Sequence, residues 1–344
     1  MTQSVGAFMG SDDQAAYVSS STLSDGAEAG SRVIDVHPMG GLHCRLLVDR
    51  GLDIGPSWFR GYPLDWRSPV GFPSASRAAA RPWLESFGGG LMVSCGPDNV
   101  GPDCVIEGRE FGLHGSHSSS PASRVSIRVD LREEVVIVTG RVRHASVFGA
   151  NLIVARTIRI SIGRPKITLR DVIVNEGVRS EPLMLLYHMN FGYPLTSPTS
   201  RLVIPSTRVI PRDDASETGL DEWDRFHEPD TAYPPQVFEH QFDPATKIAR
   251  AVLVNPAFNN NDGIAVRVSV DRSEMPRLWQ WRSLAPDVFL TGIEPANCGI
   301  LGRHVEGAAG EIQILEPGEI KECGFVLEAA AGTREISSLM NPES

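Results

Sequence analysis

The chain has 344 residues, of which 41% are hydrophobic and 22% are charged, and its formal net charge is -10. This composition supports a large apolar core and excludes an intrinsically disordered class. Because nucleic acids and anionic membranes are bound by clustered Lys and Arg, the acidic balance also argues against both of these partners.

The first 30 residues are small and polar, and they predict a loosely ordered lead-in that can supply one strand at the edge of the fold. Residues 31–335 then predict a single domain. Its first part, residues 32–55, indicates two strands joined at the turn Pro38–Gly41, where glycine allows a positive φ at little cost.

Residues 56–123 form a long segment dense in Gly, Pro, Trp and Ser, with one short helix predicted around Ser76–Glu85. Connections of this length without regular structure usually carry function. The triple glycine at residues 88–90 is not a phosphate-binding loop, since no Gly-Lys-Ser/Thr motif or helix follows it. We expect it to allow close backbone packing beside a pocket.

The middle and end of the chain show apolar and polar residues in strict alternation, broken by frequent turns. Period-two alternation of this kind predicts antiparallel sheets with one covered face, and therefore an all-β fold, one large antiparallel β-sandwich. The predicted strands are Arg124–Asp130, Val135–Thr139, Leu152–Ile162, Lys166–Val174, Ile264–Val270, Val288–Thr291, Glu311–Leu315 and Cys323–Leu327.

Gly292-Ile293-Glu294-Pro295 follows one of these strands, close to Trp279 and Trp281. Because proline has no N–H and cannot continue a central ladder, we expect the strand to stop and the chain to turn there. Glu294 would then lie at a strand end in a partly desolvated setting, in which a carboxylate can act as a general base.

Two histidines share this setting: His114 lies in the sequence GLHG and His188 in the sequence HMNFG. A single histidine of this kind is most often a hydrogen-bonded core or loop residue. Together with Glu294, however, the two histidines form a potential acid–base set. The polar and aromatic segment 211–240 could close over such a pocket, although for any single residue in it a solvated loop is the preferred explanation.

Five cysteines, Cys44, Cys95, Cys104, Cys298 and Cys323, are widely spaced and form no CxxC pair. This spacing favours buried, reduced thiols over a zinc site. The N-terminus shows no basic segment followed by an apolar one, and no apolar run reaches the roughly 18 residues of a membrane helix. We therefore expect a cytoplasmic protein.

Motifs spread over residues 33–330 carry a family resemblance. They are RGLDIG (Arg50–Gly55), FGGGL (Phe87–Leu91), CGPDNVG (Cys95–Gly101), GLHG (Gly112–Gly115), HMNFG (His188–Gly192), GIEP (Gly292–Pro295) and LEPGE (Leu315–Glu319). As a set they resemble the galactose mutarotase (aldose 1-epimerase) superfamily, in a branch of aldose-epimerase-like proteins. This resemblance implies a supersandwich of antiparallel sheets with an open sugar-binding face.

In mutarotases a glutamate takes the proton of the anomeric hydroxyl while a histidine protonates the ring oxygen, so that the ring opens and closes to the other anomer. Carried over by motif, Glu294 would be the base, His188 the acid and His114 an oxygen-binding partner. Carboxylates, amides and guanidinium groups bind hydroxyls, and an indole packs on C–H surfaces. The residues expected to surround the sugar on these grounds are Arg50, Asp53, Asp98, Asn99, His117, Asn190 and Trp281.

The resemblance predicts a hexose or hexose derivative as the partner and no cofactor, nucleic acid or membrane. One alternative is a lyase or isomerase acting on a keto-sugar, which would stabilise an enolate with a divalent metal held by His114, His117, His188 and Glu294. Another is a carbohydrate-binding module without catalysis. The sequence does not indicate an oligomeric state.

Overall fold

The computed structural model describes residues 8–341, which form a fold dominated by antiparallel strands. The first strands are β1 Ala16–Thr22, β2 Arg32–Pro38, β3 His43–Leu47, β4 Asp53–Phe59, β5 Tyr62–Pro63, β6 Met92–Cys95, β7 Cys104–Ile106, β8 Arg109–Phe111, β9 Ser123–Asp130, β10 Val135–Ala145, β11 Asn151–Ser161 and β12 Lys166–Asn175. The remaining strands are β13 Glu181–Leu183, β14 Leu186–Phe191, β15 Arg201–Val203, β16 Arg208–Pro211, β17 Gln236–Gln241, β18 Ile248–Asn255, β19 Ile264–Asp271, β20 Arg277–Ala285, β21 Val288–Ala296, β22 Gln313–Leu315 and β23 Ile320–Ala331.

The helical segments are short, and none within residues 8–341 is long and apolar enough to cross a membrane. The α-helical ones are Ala75–Ala79, Asp214–Glu217, Phe258–Asn261, Arg303–Ala308 and Thr333–Met340, and the 3₁₀ turns are Asp12–Gln14, Gly26–Glu28, Trp83–Glu85, His117–Ser119 and Leu220–Glu222. The helix predicted around Ser76–Glu85 is split in two, because Pro82 has no N–H and disfavours a helical conformation in the residue before it.

Two large antiparallel sheets form most of the fold, and two small sheets pair β13 with β22 and β7 with β8. The first has the order β1-β2-β3-β4-β6-β14-β21-β20-β17-β16, with β5 paired to β4, and the second has the order β15-β18-β19-β23-β12-β11-β10-β9. A main apolar core takes residues from both sheets, such as Ile293 of β21 and Ile158 of β11, and therefore lies between them. The predicted all-β sandwich is confirmed, including the hairpin of β2 and β3 across the turn Pro38–Gly41.

At the N-terminus, Ala16–Thr22 pairs with β2 as the edge strand of the first sheet. Residues 1–7 of the predicted lead-in lie outside the described residues, and the domain boundary near residue 30 stays a prediction. The cysteines are unpaired; Cys104 is half-buried, and the other four are buried as predicted.

The strand β21 corrects one prediction. Pro295 does not end it: the strand continues to Ala296, and Pro295 keeps its register with Leu278 of β20. On the other side, the ladder to β14 is interrupted between the pairs Leu186–Ala296 and Met189–Ile293. Proline can therefore lie inside this central strand because the ladder facing β14 is already open at its position.

Candidate active site

His188 and Glu294 lie on adjacent central strands, β14 and β21, and on the same face of the first sheet. The register of the two flanking pairs, Leu186–Ala296 and Met189–Ile293, puts His188 directly opposite Glu294. Because side chains alternate along a strand, Met189 and Ile293 point into the main core while His188 and Glu294 point to the outer face. Directly opposite residues have Cβ atoms about 5 Å apart, which brings the two side chains into contact.

The two side chains form a close, buried pair. His188 Nε2 lies 3.3 Å from Glu294 Oε1, and the side chains are 6% and 5% exposed. This contact is not a hydrogen bond, and three buried side-chain atoms here have no hydrogen-bond partner within the described part of the chain: His188 Nδ1, Asn190 Oδ1 and Glu294 Oε1. Buried polar atoms are nearly always paired in folded proteins, so orphaned atoms gathered at one place indicate a site prepared for a ligand.

An aromatic cavity of about 290 Å³ opens above this pair. Trp83 stacks on Phe87 with ring centroids 4.3 Å apart, and the ring of Trp281 meets that of His188 edge-on at 5.4 Å. Its lining residues are Trp83, Leu84, Phe87, Gly101, Pro102, Leu113, His114, His188, Arg212, Pro235, Val237, Trp281, Glu294 and Ile300. A cavity of mostly apolar surface with a few convergent polar groups is typical of a small-molecule site.

His114 reaches the cavity from a loop in a constrained conformation. Its φ of 56° lies in the left-handed region, and its backbone N–H donates to the carbonyl of Gly101 at 3.0 Å. The N–H of Gly101 in turn donates to Nδ1 of His114 at 3.4 Å, so the ring proton is on Nε2. His114 therefore has an N–H donor available for an oxygen atom of a ligand.

Asp98 and Asn99, expected to bind substrate, instead hold the His114 loop. The carboxylate of Asp98 accepts from the backbone N–H and the hydroxyl of Ser116. The amide of Asn99 donates to the carbonyls of Pro102 and Gly112 and accepts from the N–H of Arg303. The hydrogen bonds of both side chains are thus made within the protein, and neither residue lines the cavity.

Burial sets the protonation state of the pair. It raises the pKa of Glu294 to about 8, although the charge of Arg212 acts in the opposite direction. Burial lowers the pKa of His188 to about 3, and electrostatic repulsion by His114 lowers it in the same direction. Burial also lowers the pKa of His114 to about 4, together with repulsion by the charge of Arg212. At neutral pH the free site therefore holds its proton on Glu294 beside two neutral imidazoles, the reverse of the acid and base states expected from the sequence.

Arg50 and Asp53 are structural residues, contrary to the prediction that they bind substrate. The Arg50 guanidinium is buried and donates to the carbonyls of Pro73, Ser86 and Ser118, so it fastens the loops around the cavity. Asp53 is ion-paired at 2.8 Å with Arg156, which is fully buried between the sheets. Neither side chain lines the cavity.

His117 is likewise placed away from the cavity. It is fully buried, with Nδ1 3.1 Å from Nε2 of His144 and Nε2 3.2 Å from the carbonyl of Gly51. Within residues 8–341, no group of three or more His, Cys, Asp or Glu is arranged to hold a metal ion. The four residues that the metal-assisted alternative would need, His114, His117, His188 and Glu294, are therefore not gathered at one place in the described part of the chain.

Asn190 lies below the cavity, two residues along β14 from His188 on the same face. Its amide group donates to the carbonyls of Gly90 and His188, and its Oδ1 has no partner. Asn190 thus supports the histidine, while Trp281 is the one predicted sugar-binding side chain that lines the cavity itself.

Most of the lining residues were not among the predicted site residues, and three of these bear on the chemistry of the cavity: Trp83, Phe87 and Arg212. Phe87 belongs to the FGGGL motif, and Arg212 lies at the start of the polar segment 211–240 that could close over a pocket. Trp83 has no sequence signal beyond its aromatic ring in a long irregular segment. Their shared location depends on contacts between distant loops, which neither periodicity nor motif spacing describes.

Comparisons with known proteins agree with this architecture. The sequence profile of the DUF4432 family, a domain of unknown function, matches residues 28–329. No curated protein matches the chain. A candidate aldose 1-epimerase from Klebsiella pneumoniae has a similar structure, with a TM-score of 0.87 at 23% identity over 95% of this chain and 88% of that chain.

Two further solved structures share the fold at lower identity. A galactose mutarotase-like protein from Clostridium acetobutylicum has a TM-score of 0.64 at 15% identity, over 92% of this chain and 99% of that one. A galactose 1-epimerase from Lactobacillus acidophilus has a TM-score of 0.60 at 11% identity, again over 92% and 99%. With the family profile spanning nearly the whole chain, the protein belongs to the DUF4432 family, and it shares the fold of the galactose mutarotase-like proteins.

Proposed function

We propose that this protein is an isomerase of the aldose 1-epimerase type, which interconverts the anomers of a hexose or hexose derivative. The observation that carries the proposal is the buried pair of His188 and Glu294, with Nε2 and Oε1 3.3 Å apart. The pair faces an aromatic cavity and carries one proton at neutral pH. Anomer interconversion needs one proton donor and one proton acceptor, and no cofactor.

The proton positions favour one order of proton transfers in the first step. Neutral His188 accepts the proton of the anomeric hydroxyl while protonated Glu294 gives its proton to the ring oxygen. The bond between the anomeric carbon and the ring oxygen breaks, leaving an open-chain aldehyde. After the carbonyl group rotates, the former ring oxygen attacks its other face; Glu294 takes back the hydroxyl proton, and His188 returns its own to the carbonyl oxygen. The pair ends the cycle in its initial state.

The surrounding side chains fit supporting roles in this cycle. The Nε2–H of His114 can donate to a sugar oxygen, since its Nδ1 already accepts from Gly101. The indoles of Trp281 and Trp83 offer flat apolar faces for the C–H surface of a sugar ring. The low exposure of the pair also strengthens the electrostatic interactions within it.

One feature favours a second candidate, proton abstraction from carbon in a keto-sugar. A pKa of about 8 makes the carboxylate of Glu294, once ionised, a stronger base than an exposed glutamate. The two reactions differ in one observable property. In heavy water, enolisation exchanges a carbon-bound proton of the sugar for deuterium, whereas mutarotation leaves every C–H bond intact.

The test is polarimetry on freshly dissolved α-D-glucose and α-D-galactose. We expect the protein to speed the approach to anomeric equilibrium, and the variants Glu294→Gln and His188→Asn to lose roughly a hundredfold or more of that acceleration. The matched controls are Glu133→Gln and His304→Asn, which change exposed residues outside the cavity. If no sugar in a broad panel of free aldoses is accelerated, the proposal is wrong; deuterium incorporation would then favour the second candidate.

A further inference from the structure

Arg212 is a cationic side chain fixed at the cavity wall. It follows β16, and its backbone N–H donates to the carbonyl of Val237 at 2.9 Å. Its Nε and Nη2 donate to Oδ2 of Asp213 at 2.9 and 2.6 Å, while Oδ1 of Asp213 caps the helix Asp214–Glu217 through Ser216. These contacts hold the guanidinium in place, and its Nη1 has no hydrogen-bond partner among residues 8–341.

The charges of the cavity wall do not cancel that of Arg212. The wall contains four ionisable side chains: Arg212, His114, His188 and Glu294. The last three are mainly neutral at pH 7, so Arg212 is the charged side chain of the wall. Asp213, which does not line the cavity, is ion-paired with Arg212 through Oδ2 at 2.6 Å and caps the helix through Oδ1, so the donor of Arg212 left for a ligand is Nη1. The positive charge also reaches the pair, since Arg212 lowers the pKa of Glu294.

The rest of the wall offers few partners for hydroxyl groups. It consists largely of aromatic, aliphatic and proline side chains, with Trp83, Leu84, Phe87, Leu113, Pro235, Val237, Trp281 and Ile300 among them. Each hydroxyl buried without a partner costs roughly 10-fold or more in affinity. A charge-assisted bond to a guanidinium is about twice as strong as a neutral hydrogen bond, so one anionic substituent would offset such losses.

We infer that the substrate is a sugar with one anionic substituent, the carboxylate of a uronic acid or a phosphate ester, which is bound by Arg212. This inference rests on the proposed function for the reacting end of the sugar and names the chemical class of the substrate. Arginine suits the role because its planar guanidinium keeps its charge while Nη1 donates to an oxygen of the anion.

The test compares neutral and anionic sugars of the same ring geometry. We expect kcat/KM for anomer exchange to be roughly 10-fold or more higher for D-glucuronate or D-glucose 6-phosphate than for D-glucose. This preference should be lost in Arg212→Gln and partly kept in Arg212→Lys. Arg225→Gln is the matched control, because Arg225 lies in the same segment but is 64% exposed and does not line the cavity.

Calorimetric binding to the Glu294→Gln variant separates this inference from the proposed function. Tighter binding of D-glucuronate or D-glucose 6-phosphate than of D-glucose, lost on adding Arg212→Gln, would support the inference even if no sugar is turned over. The anion that binds more tightly identifies the substituent of the substrate as a carboxylate or a phosphate ester. Equal binding of neutral and anionic sugars, or an anion preference unchanged by Arg212→Gln, would overturn it while leaving the proposed mutarotation intact.

Discussion

Glu294 and His188 show how burial on a sheet face sets the state of an acid–base pair. A buried carboxyl group keeps its proton and a buried imidazole loses its own, because low-dielectric surroundings disfavour both charged forms. The two pKa values therefore move in opposite directions, to about 8 for Glu294 and about 3 for His188. The pair thus carries one proton over a wide pH range, as a reaction needing one donor and one acceptor requires.

The raised pKa of Glu294 predicts a change of stability with pH. Its ordinary value is 4.5 and its folded value about 8, so its stabilising contribution is complete below about pH 4.5 and is lost as the pH rises toward 8. In Glu294→Gln this loss is absent. Between pH 5 and pH 8, the unfolding free energy of the variant relative to the wild type should rise by roughly 2 to 4 kcal/mol.

Urea unfolding at the two pH values measures this difference. Because both proteins contain His188, the effect of its lowered pKa, which destabilises the fold as the pH falls below 6.5, largely cancels in the comparison. Glu133→Gln, at an exposed glutamate, is the control and should show little pH-dependent difference. An equal difference between Glu294→Gln and wild type at both pH values would mean that Glu294 is ionised in the folded protein.

At the scale of the strand, Gly292 of β21 leaves the space that the carboxylate of Glu294 occupies. An added Cβ at Gly292 would lie 2.4 Å from Oε1 of Glu294 and 3.3 Å from Cβ of Trp281. Gly292→Ala should therefore turn the carboxylate away from His188. We expect anomer exchange to fall roughly 10- to 100-fold, with a change of about 1 kcal/mol or less in unfolding free energy.

Anomer exchange and urea unfolding, measured on the same variant, test this prediction. Gly307→Ala is the control, since its added Cβ meets only Cδ1 of Ile312 at an ordinary 3.6 Å. Full activity of Gly292→Ala would show that the carboxylate does not need the position it has in the structure.

The sequence predicted strands better than it predicted the contacts between loops. Alternation is a local property, so it located strands such as β11 and β12, and motif resemblance singled out His188 and Glu294. The sequence did not predict that β21 continues through Pro295. The strand can do so because the ladder between β21 and β14 has a gap there, and this gap depends on how the two distant strands pair. Nor could it show that Arg50 fastens three loops, since its carbonyl partners lie 23 to 68 residues away.

At the scale of the whole molecule, a buried ionic cluster joins the two sheets beneath the site. Arg156 of β11 contacts Asp171 of β12 at 2.7 Å within its own sheet and Asp53 of β4 at 2.8 Å in the other sheet. It also donates to the hydroxyl of Ser94, and Tyr187 of β14 donates to Asp171. The strand that carries His188 is thereby tied to the opposite sheet.

Removing this arginine should be costly, because two buried carboxylates would lose their counter-charge. We expect Arg156→Met to lower the unfolding free energy by about 3 to 5 kcal/mol. The matched control is Arg159→Met on the same strand, whose ion pair with Glu133 is exposed and worth about 1 kcal/mol or less. Urea unfolding measures both; equal losses would show that the cluster does not join the sheets as described. If Arg156→Met fails to fold, the milder Arg156→Lys should still lower the unfolding free energy more than Arg159→Met does.

The most direct test of the account is anomer exchange, followed by NMR, for the wild type, Glu294→Gln, His188→Asn and the double variant. The sugars are D-glucose, D-galactose and D-glucuronate. We predict acceleration by the wild type and nearly the same low rate in all three variants, since residues that act as one unit lose their effect together. Contradiction would come from a wild type that accelerates none of the sugars, or from single variants that retain most of the activity.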